Sequence, residues 1–160
     1  MTTRFHALAT TAATLLATSL LALPVWAVDV AFKPVADGVY AYIGDIEGRS
    51  YDNEGLNANI GLVVTPAGAV LIDSGSSYQV AAKIHEAVKK VTTQPLTLVI
   101  NSGDQDHRWL GNGYFTEKGI ETLAHADAQA DMQARSGEQM DGLKVLKERV
   151  PFTDKGDDLL

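Results

Sequence analysis

Between Asn101 and Asn112 the chain reads Asn-Ser-Gly-Asp-Gln-Asp-His-Arg-Trp-Leu-Gly-Asn, which places Asp104, Asp106 and His107 within four residues. Carboxylate oxygen and imidazole nitrogen are competent ligands for zinc or iron. A metal held there lowers the pKa of bound water to about 7 and generates a hydroxide nucleophile. The same Asp-x-Asp-His string also suits a solvated turn, with Gly103 and Gly111 allowing tight bends. There is no Cys, so a disulfide framework, a thiol nucleophile and a Cys-based zinc finger are excluded. Any metal must be held by His, Asp or Glu. With 13 Lys and Arg against 20 Asp and Glu, the formal charge is −7. Binding a phosphate backbone needs clustered cations, so nucleic acid is excluded and a small-molecule substrate is expected.

The elements around this loop predict how it is positioned. Leu96 to Ile100, just before it, is an apolar run of strand length, and loops after the carboxyl ends of strands are where α/β proteins gather ligands. Upstream, Ile60 to Thr65 and Ala69 to Ile72 flank Pro66-Ala67-Gly68, a hairpin signal. Their continuous apolar character predicts strands buried on both faces. A helix is predicted from Tyr78 to Val91, where Val80, Ala81, Ile84, Val88 and Val91 recur at three- and four-residue spacing after Ser76 or Ser77 as cap. His85, beside Ile84 at the edge of that apolar face, reads as structural or exposed. Strand, helix and strand in this order form a crossover unit, so the fold class is α/β.

Further elements carry weaker signals. Val39 to Ile43 reads as a short strand and Gly44 to Asn59 as a mobile polar loop. Tyr114 to Gly119 is short and mixed, Ile120 to Ala124 is a candidate strand, and Asp127 to Ser136 is a polar helix. Trp109 and Arg108 either line a pocket beside the loop or merely flank it.

The first 27 residues read differently from the rest. They contain no acidic residue, one Arg at position 4, an apolar run from Ala7 to Leu23, and the ending Pro-Val-Trp-Ala. That pattern predicts a cleaved export signal over residues 1–27, leaving residues 28–160 as the mature domain with a formal charge of −8. The run is shorter and weaker than the roughly 20 apolar residues of a membrane span. A periplasmic or secreted location follows, with no membrane association after cleavage. His6 leaves with the signal.

The stretch from Ile60 through Asn112 resembles the metallo-β-lactamase superfamily. The resemblance is carried by the strand pair running into Asp73-Ser74-Gly75, the helix Tyr78 to Val91, and the strand Leu96 to Ile100 running into Asn101-Ser102 and then Asp106-His107. Leu110-Gly111-Asn112 and the segment Thr122 to His125 extend it. The family signature in this loop is H-x-H-x-D-H after an Asn-Thr pair. Counting back from Asp106-His107 puts Asp104 and Ser102 where the two leading His residues should stand. Anchoring instead on Asn101-Ser102 leaves the loop one residue short, with Gly103 and Gln105 near those places. Neither His is present.

The resemblance implies an αββα sandwich of which this chain contains the first half, a truncated copy of a longer domain. It implies zinc, one or two ions in a complete form, with iron or manganese also compatible. Asp106 and His107 would be ligands of the second metal position, Asp104 a further candidate, and Asp106 the catalytic residue that orients the metal-bound hydroxide. Asp73 would shape the neighbouring loop, His125 would be structural, and Tyr51 and Asn57 would lie on the loop overhanging the site. The expected activity is hydrolysis of an ester, thioester or lactam bond. The alternatives are a catalytically degenerate relative that keeps the scaffold as a binding module, and a non-functional fragment.

Overall fold

The computed structural model describes residues 28–50 and 53–145; the proposed export signal and Tyr51 lie outside them. Six strands form one sheet in sequence order: β1 (Lys33–Ala36), β2 (Val39–Tyr42), β3 (Ile60–Thr65), β4 (Gly68–Ile72), β5 (Leu96–Asn101) and β6 (Glu121–Ala124). The first four pair antiparallel and β4, β5 and β6 pair parallel. Helix α1 (Tyr78–Val91) links β4 to β5. The short α2 (Asp106–Trp109) and α3 (Asn112–Glu117) link β5 to β6, and α4 (Ala126–Val145) follows. The mixed α/β class therefore matches expectation. No helix among the described residues is long and apolar enough to cross a membrane.

Helix α1 forms where its periodicity predicts. Ser77 Oγ accepts a hydrogen bond from the Val80 N–H at 3.2 Å, closing one free donor of the first turn, and Lys89 and Lys90 sit favourably at the negative end. Its buried face, Val80, Ala81, Ile84, Ala87 and Val88, packs on Ile60, Leu62, Leu71 and Val99 of the sheet and on Phe115 of α3. Tyr114 and Phe115 bring α3 into this core, so the stretch whose pattern was mixed is a helix with two aromatic anchors. His85 lies at the same junction, its Nδ1 3.2 Å from the Tyr114 hydroxyl.

Three sequence expectations need correction, and one strand was not foreseen. Strands β3 and β4 alternate between buried and half-exposed positions instead of being buried on both faces, because the described helices cover one face only. The registers place Val63, Val70, Leu98, Ile100 and Leu123 together on the opposite face, and Leu123 is 50% exposed. Strand β1 gave no signal because Pro34 interrupts it, which an exposed edge strand tolerates. The segment 44–59 is irregular, but its second half is anchored: Asn53, Glu54 and Leu56 are buried, and Glu54 pairs with Lys83 of α1. Helix α4 runs well beyond Ser136 despite Gly137 and Gly142, each costing about 1 kcal/mol relative to Ala. Its inner face, Met132, Ser136, Gln139 and Met140, is too polar to stand out as an apolar stripe.

This one-sided core makes a stability prediction. Phe115→Ala should lower the unfolding free energy by about 3–5 kcal/mol, as truncation of a fully buried aromatic does. Leu123→Ala should cost no more than about 1 kcal/mol, since its side chain already meets solvent. Urea melts of both variants measure the difference, and equal losses would mean that the outer face is packed.

Candidate functional site

The carboxyl ends of the parallel strands deliver the loop after β4 and the loop after β5 to the same edge of the sheet. Asp73 opens the first with φ +68°, a left-handed backbone that few residues other than Gly adopt and that Asp tolerates better than most. The strain there is offset by hydrogen bonds. The Asp73 N–H donates to the Ile100 carbonyl at 2.8 Å. Its carboxylate accepts from the Ser102 N–H at 2.6 Å and from Ser102 Oγ–H at 2.8 Å. Asp73 thus clamps the start of the 101–113 loop, the shaping role the sequence assigned to it.

The far end of that loop is fixed as tightly. The Ser74 N–H donates to the Arg108 carbonyl at 2.8 Å, and the Gly111 N–H to the Gly75 carbonyl at 3.1 Å. A Cβ at position 111 would collide with the Ser74 carbonyl oxygen, so only Gly permits this approach. Between the two clamps, Trp109 is buried against Leu110, Met132 and Met140, and its indole N–H reaches both the Asp104 carbonyl and Gln139 of α4. Trp109 is a structural anchor. Arg108 lines the cleft and donates from Nη1 to Ser102 Oγ at 2.8 Å.

The candidate ligands separate into two groups. Asp106 and His107 stand together at the start of α2: the His107 N–H donates to Asp106 Oδ1 at 2.8 Å, and His107 Nδ1 lies 3.2 Å from the same oxygen. The other oxygen of Asp106 is paired with the Arg49 guanidinium, which reaches in from the 44–59 segment. Asp104 does not join them, because its carboxylate is bound by Arg135 of α4 at 2.8 Å. His125 is exposed, and its Nδ1 accepts from the Asp127 N–H at 3.2 Å, capping α4. Burial works most strongly against the charge on Asp106. Hydrogen bonds from His107 and the positive charge of Arg49 outweigh it, so the carboxyl is held below its usual range.

A polar cleft of about 660 Å³ opens at this edge, lined by Gly44, Asp45, Glu47, Asn57, Asn59, Asp73, Ser102, His107 and Arg108, with Ile43, Ile46 and Ala58. Asn57 is thus one of the residues that line it. A protein-held zinc ion wants three or four converging ligands. Among the described residues no three His, Asp or Glu side chains converge in that way. Asp73 is committed to Ser102, Asp104 to Arg135 and Asp106 to Arg49. The residues present therefore do not fit a zinc site on their own. Arg49 is the site residue that sequence reasoning missed. Its signal was a lone cation among Asp45, Glu47, Asp52 and Glu54 in a loop already placed over the site.

No protein-family model and no curated protein sequence matches the chain. Solved structures do. The metallo-β-lactamase FIM-1 from Pseudomonas aeruginosa, solved in a mono-zinc form, superposes with a TM-score of 0.56 at 20% identity, over 67% of this chain and 46% of that one. Metallo-β-lactamases from Hirschia baltica and Erythrobacter litoralis each give a TM-score of 0.56 at 19% identity, over 66% of this chain and 48% and 46% of theirs. The fold is thus that of the metallo-β-lactamases, as the order of elements implied. The chain spans a little under half the length of these similar structures.

The depressed Asp106 carboxyl sets a pH dependence. Its contribution to stability is complete above the ordinary carboxylate range, near pH 4, and is lost as pH falls through the lower folded-state value. Urea melts from pH 7 down to pH 3 should show a steeper acid loss for the wild-type protein than for Asp106→Asn. Parallel curves would mean that the Asp106 charge is not stabilised in the folded state.

Proposed function

We propose that this chain is a metallo-β-lactamase-fold binding module that receives a small polar molecule in the cleft beside His107 without a metal of its own. One observation carries the reading: each carboxylate on the loops after β4 and β5 already has a partner, Asp106 in Arg49, Asp104 in Arg135 and Asp73 in Ser102. The absence of both leading His residues of the signature supports it. What remains on the cleft wall is the hydrogen-bonding set of Asn57, Ser102, His107 and Arg108. Such a set can orient a polar ligand, because few but fixed polar groups give a cleft its selectivity. We further propose that the protein is exported to the periplasm or beyond, on the strength of the acid-free, apolar segment over residues 1–27.

A metal-dependent hydrolase is the second reading, favoured by the adjacency of Asp106 and His107 on a fold that a mono-zinc enzyme shares. It requires further ligands from outside the stretch held in common with those structures.

Metal analysis decides between the two. The purified protein, incubated with excess zinc and desalted, should retain less than about a tenth of an equivalent, since zinc sites that catalyse normally hold metal tightly. It should also hydrolyse no chromogenic lactam, thioester or ester. Retention near one equivalent together with turnover would establish the hydrolase instead.

A further inference from the structure

The Arg49 guanidinium meets three separate parts of the chain. It belongs to the 44–59 segment, it pairs with Asp106 at the start of α2, and it lies beside α4, where a Cβ added to Gly142 would stand 4.0 Å from Nη2. The pair is not a loose surface contact: the Asp106 side chain is 13% exposed and that of Arg49 24%, and Arg49 Nη1 is buried. Arginine suits such a place because its charge is permanent and its planar fork fixes direction. A divalent cation approaching Asp106 and His107 would have to displace this group or share the carboxylate with it, against like-charge repulsion.

Building on the metal-free reading above, we infer that Arg49 is the resident cation of Asp106: it occupies the face of that carboxylate that a metal ion would need and straps residues 44–50 to the start of α2, where His107 stands. The loop thereby carries its own counter-ion to the carboxylate. Other contacts hold the strap in register. The Asn59 side-chain oxygen accepts from the Gly44 N–H at 3.1 Å, and Asn53 Oδ1 accepts from the Ser50 N–H at 2.9 Å. Arg49 therefore sits between two anchored points, close enough to one another in sequence to limit where its side chain reaches. Asp45 and Glu47 of the same segment line the cleft, and the Asp45 carboxylate accepts from the Glu47 N–H at 3.0 Å. Arg108, the guanidinium of the cleft wall, is directed to Ser102 and leaves Asp106 to Arg49.

Cobalt(II) titration followed by NMR of the His107 imidazole tests this on the intact chain. The His107 signals should broaden in Arg49→Gln at a Co²⁺ concentration at least about tenfold below that needed by the wild-type protein, because the competing charge is gone. Arg49→Lys, which keeps the charge, should resemble the wild type. Equal cobalt response in the wild type and Arg49→Gln would overturn the role of Arg49. No response in either would overturn it too, yet would leave the metal-free reading standing, whereas tight stoichiometric binding by the wild type would retire that reading itself. If Arg49→Gln fails to fold, the wild type and Asp106→Asn decide the matter. The wild-type Arg49 side-chain nitrogen resonances should show hindered rotation that Asp106→Asn releases, and freely rotating resonances in the wild type would overturn the proposal.

Discussion

Parallel pairing of β4 with β5 is the constraint on which the rest depends. Two strands running the same way must be joined by a crossover, here α1, and the crossover returns the chain so that both carboxyl ends open at one edge. Asp73 and Ser102 are thereby brought within hydrogen-bonding distance although 29 residues separate them. The inner faces of the two strands, with Leu71 and Val99 paired in register, supply the buried surface that offsets the entropy of ordering this arrangement. Any loosening of that core reaches the cleft directly, because the Asp73 N–H is itself bonded to the last turn of the ladder at Ile100.

Charge is compensated locally on the loops after β4 and β5. An ionised carboxylate with little water around it is costly unless paired and hydrogen-bonded, and the three on these loops meet that condition in different ways. Asp73 uses neutral donors from one serine, Asp104 a cation from a distant helix, and Asp106 both a backbone donor and a cation. The buried Glu54–Lys83 pair repeats the pattern outside the cleft and ties the 44–59 segment to α1. The loop is thus held by ion pairs to two different elements, Lys83 on α1 and Asp106 on α2. Its polar composition reflects this bonding and not exposure alone.

Much of this architecture was legible in the sequence. The helix from Tyr78 to Val91, the hairpin around Pro66 and the strand before Asn101 each combined a clear period with local punctuation, and each was found within a residue or so of its place. The loop-shaping part of Asp73 came from the family resemblance, and its bonds to Ser102 are what carry it out. Other features were hidden because their stabilising partners are remote. Helix α4 buries Met132, Ser136, Gln139 and Met140, a face on which Gln139 is satisfied by Trp109 and the Asp104 carbonyl, and Ser136 by the Gln133 carbonyl of its own helix. Asp104 and Asp106 look equivalent in the string Asp-Gln-Asp-His, and only Arg135 and Arg49, 31 residues after the one and 57 before the other, send them to different fates.

The exposed first strand has a consequence for how copies of this chain meet. A sheet edge offers unpaired N–H and C=O groups to any passing strand, and β1 is such an edge, with Pro34 lacking an N–H, Lys33 placing a charge beside it and an irregular register between Pro34 and Ala36. Those three features discourage a second sheet from continuing the first. Growth of the sheet sideways is discouraged at this border by the same proline that concealed the strand from view, so strand addition of the kind that seeds fibres is disfavoured on the β1 side.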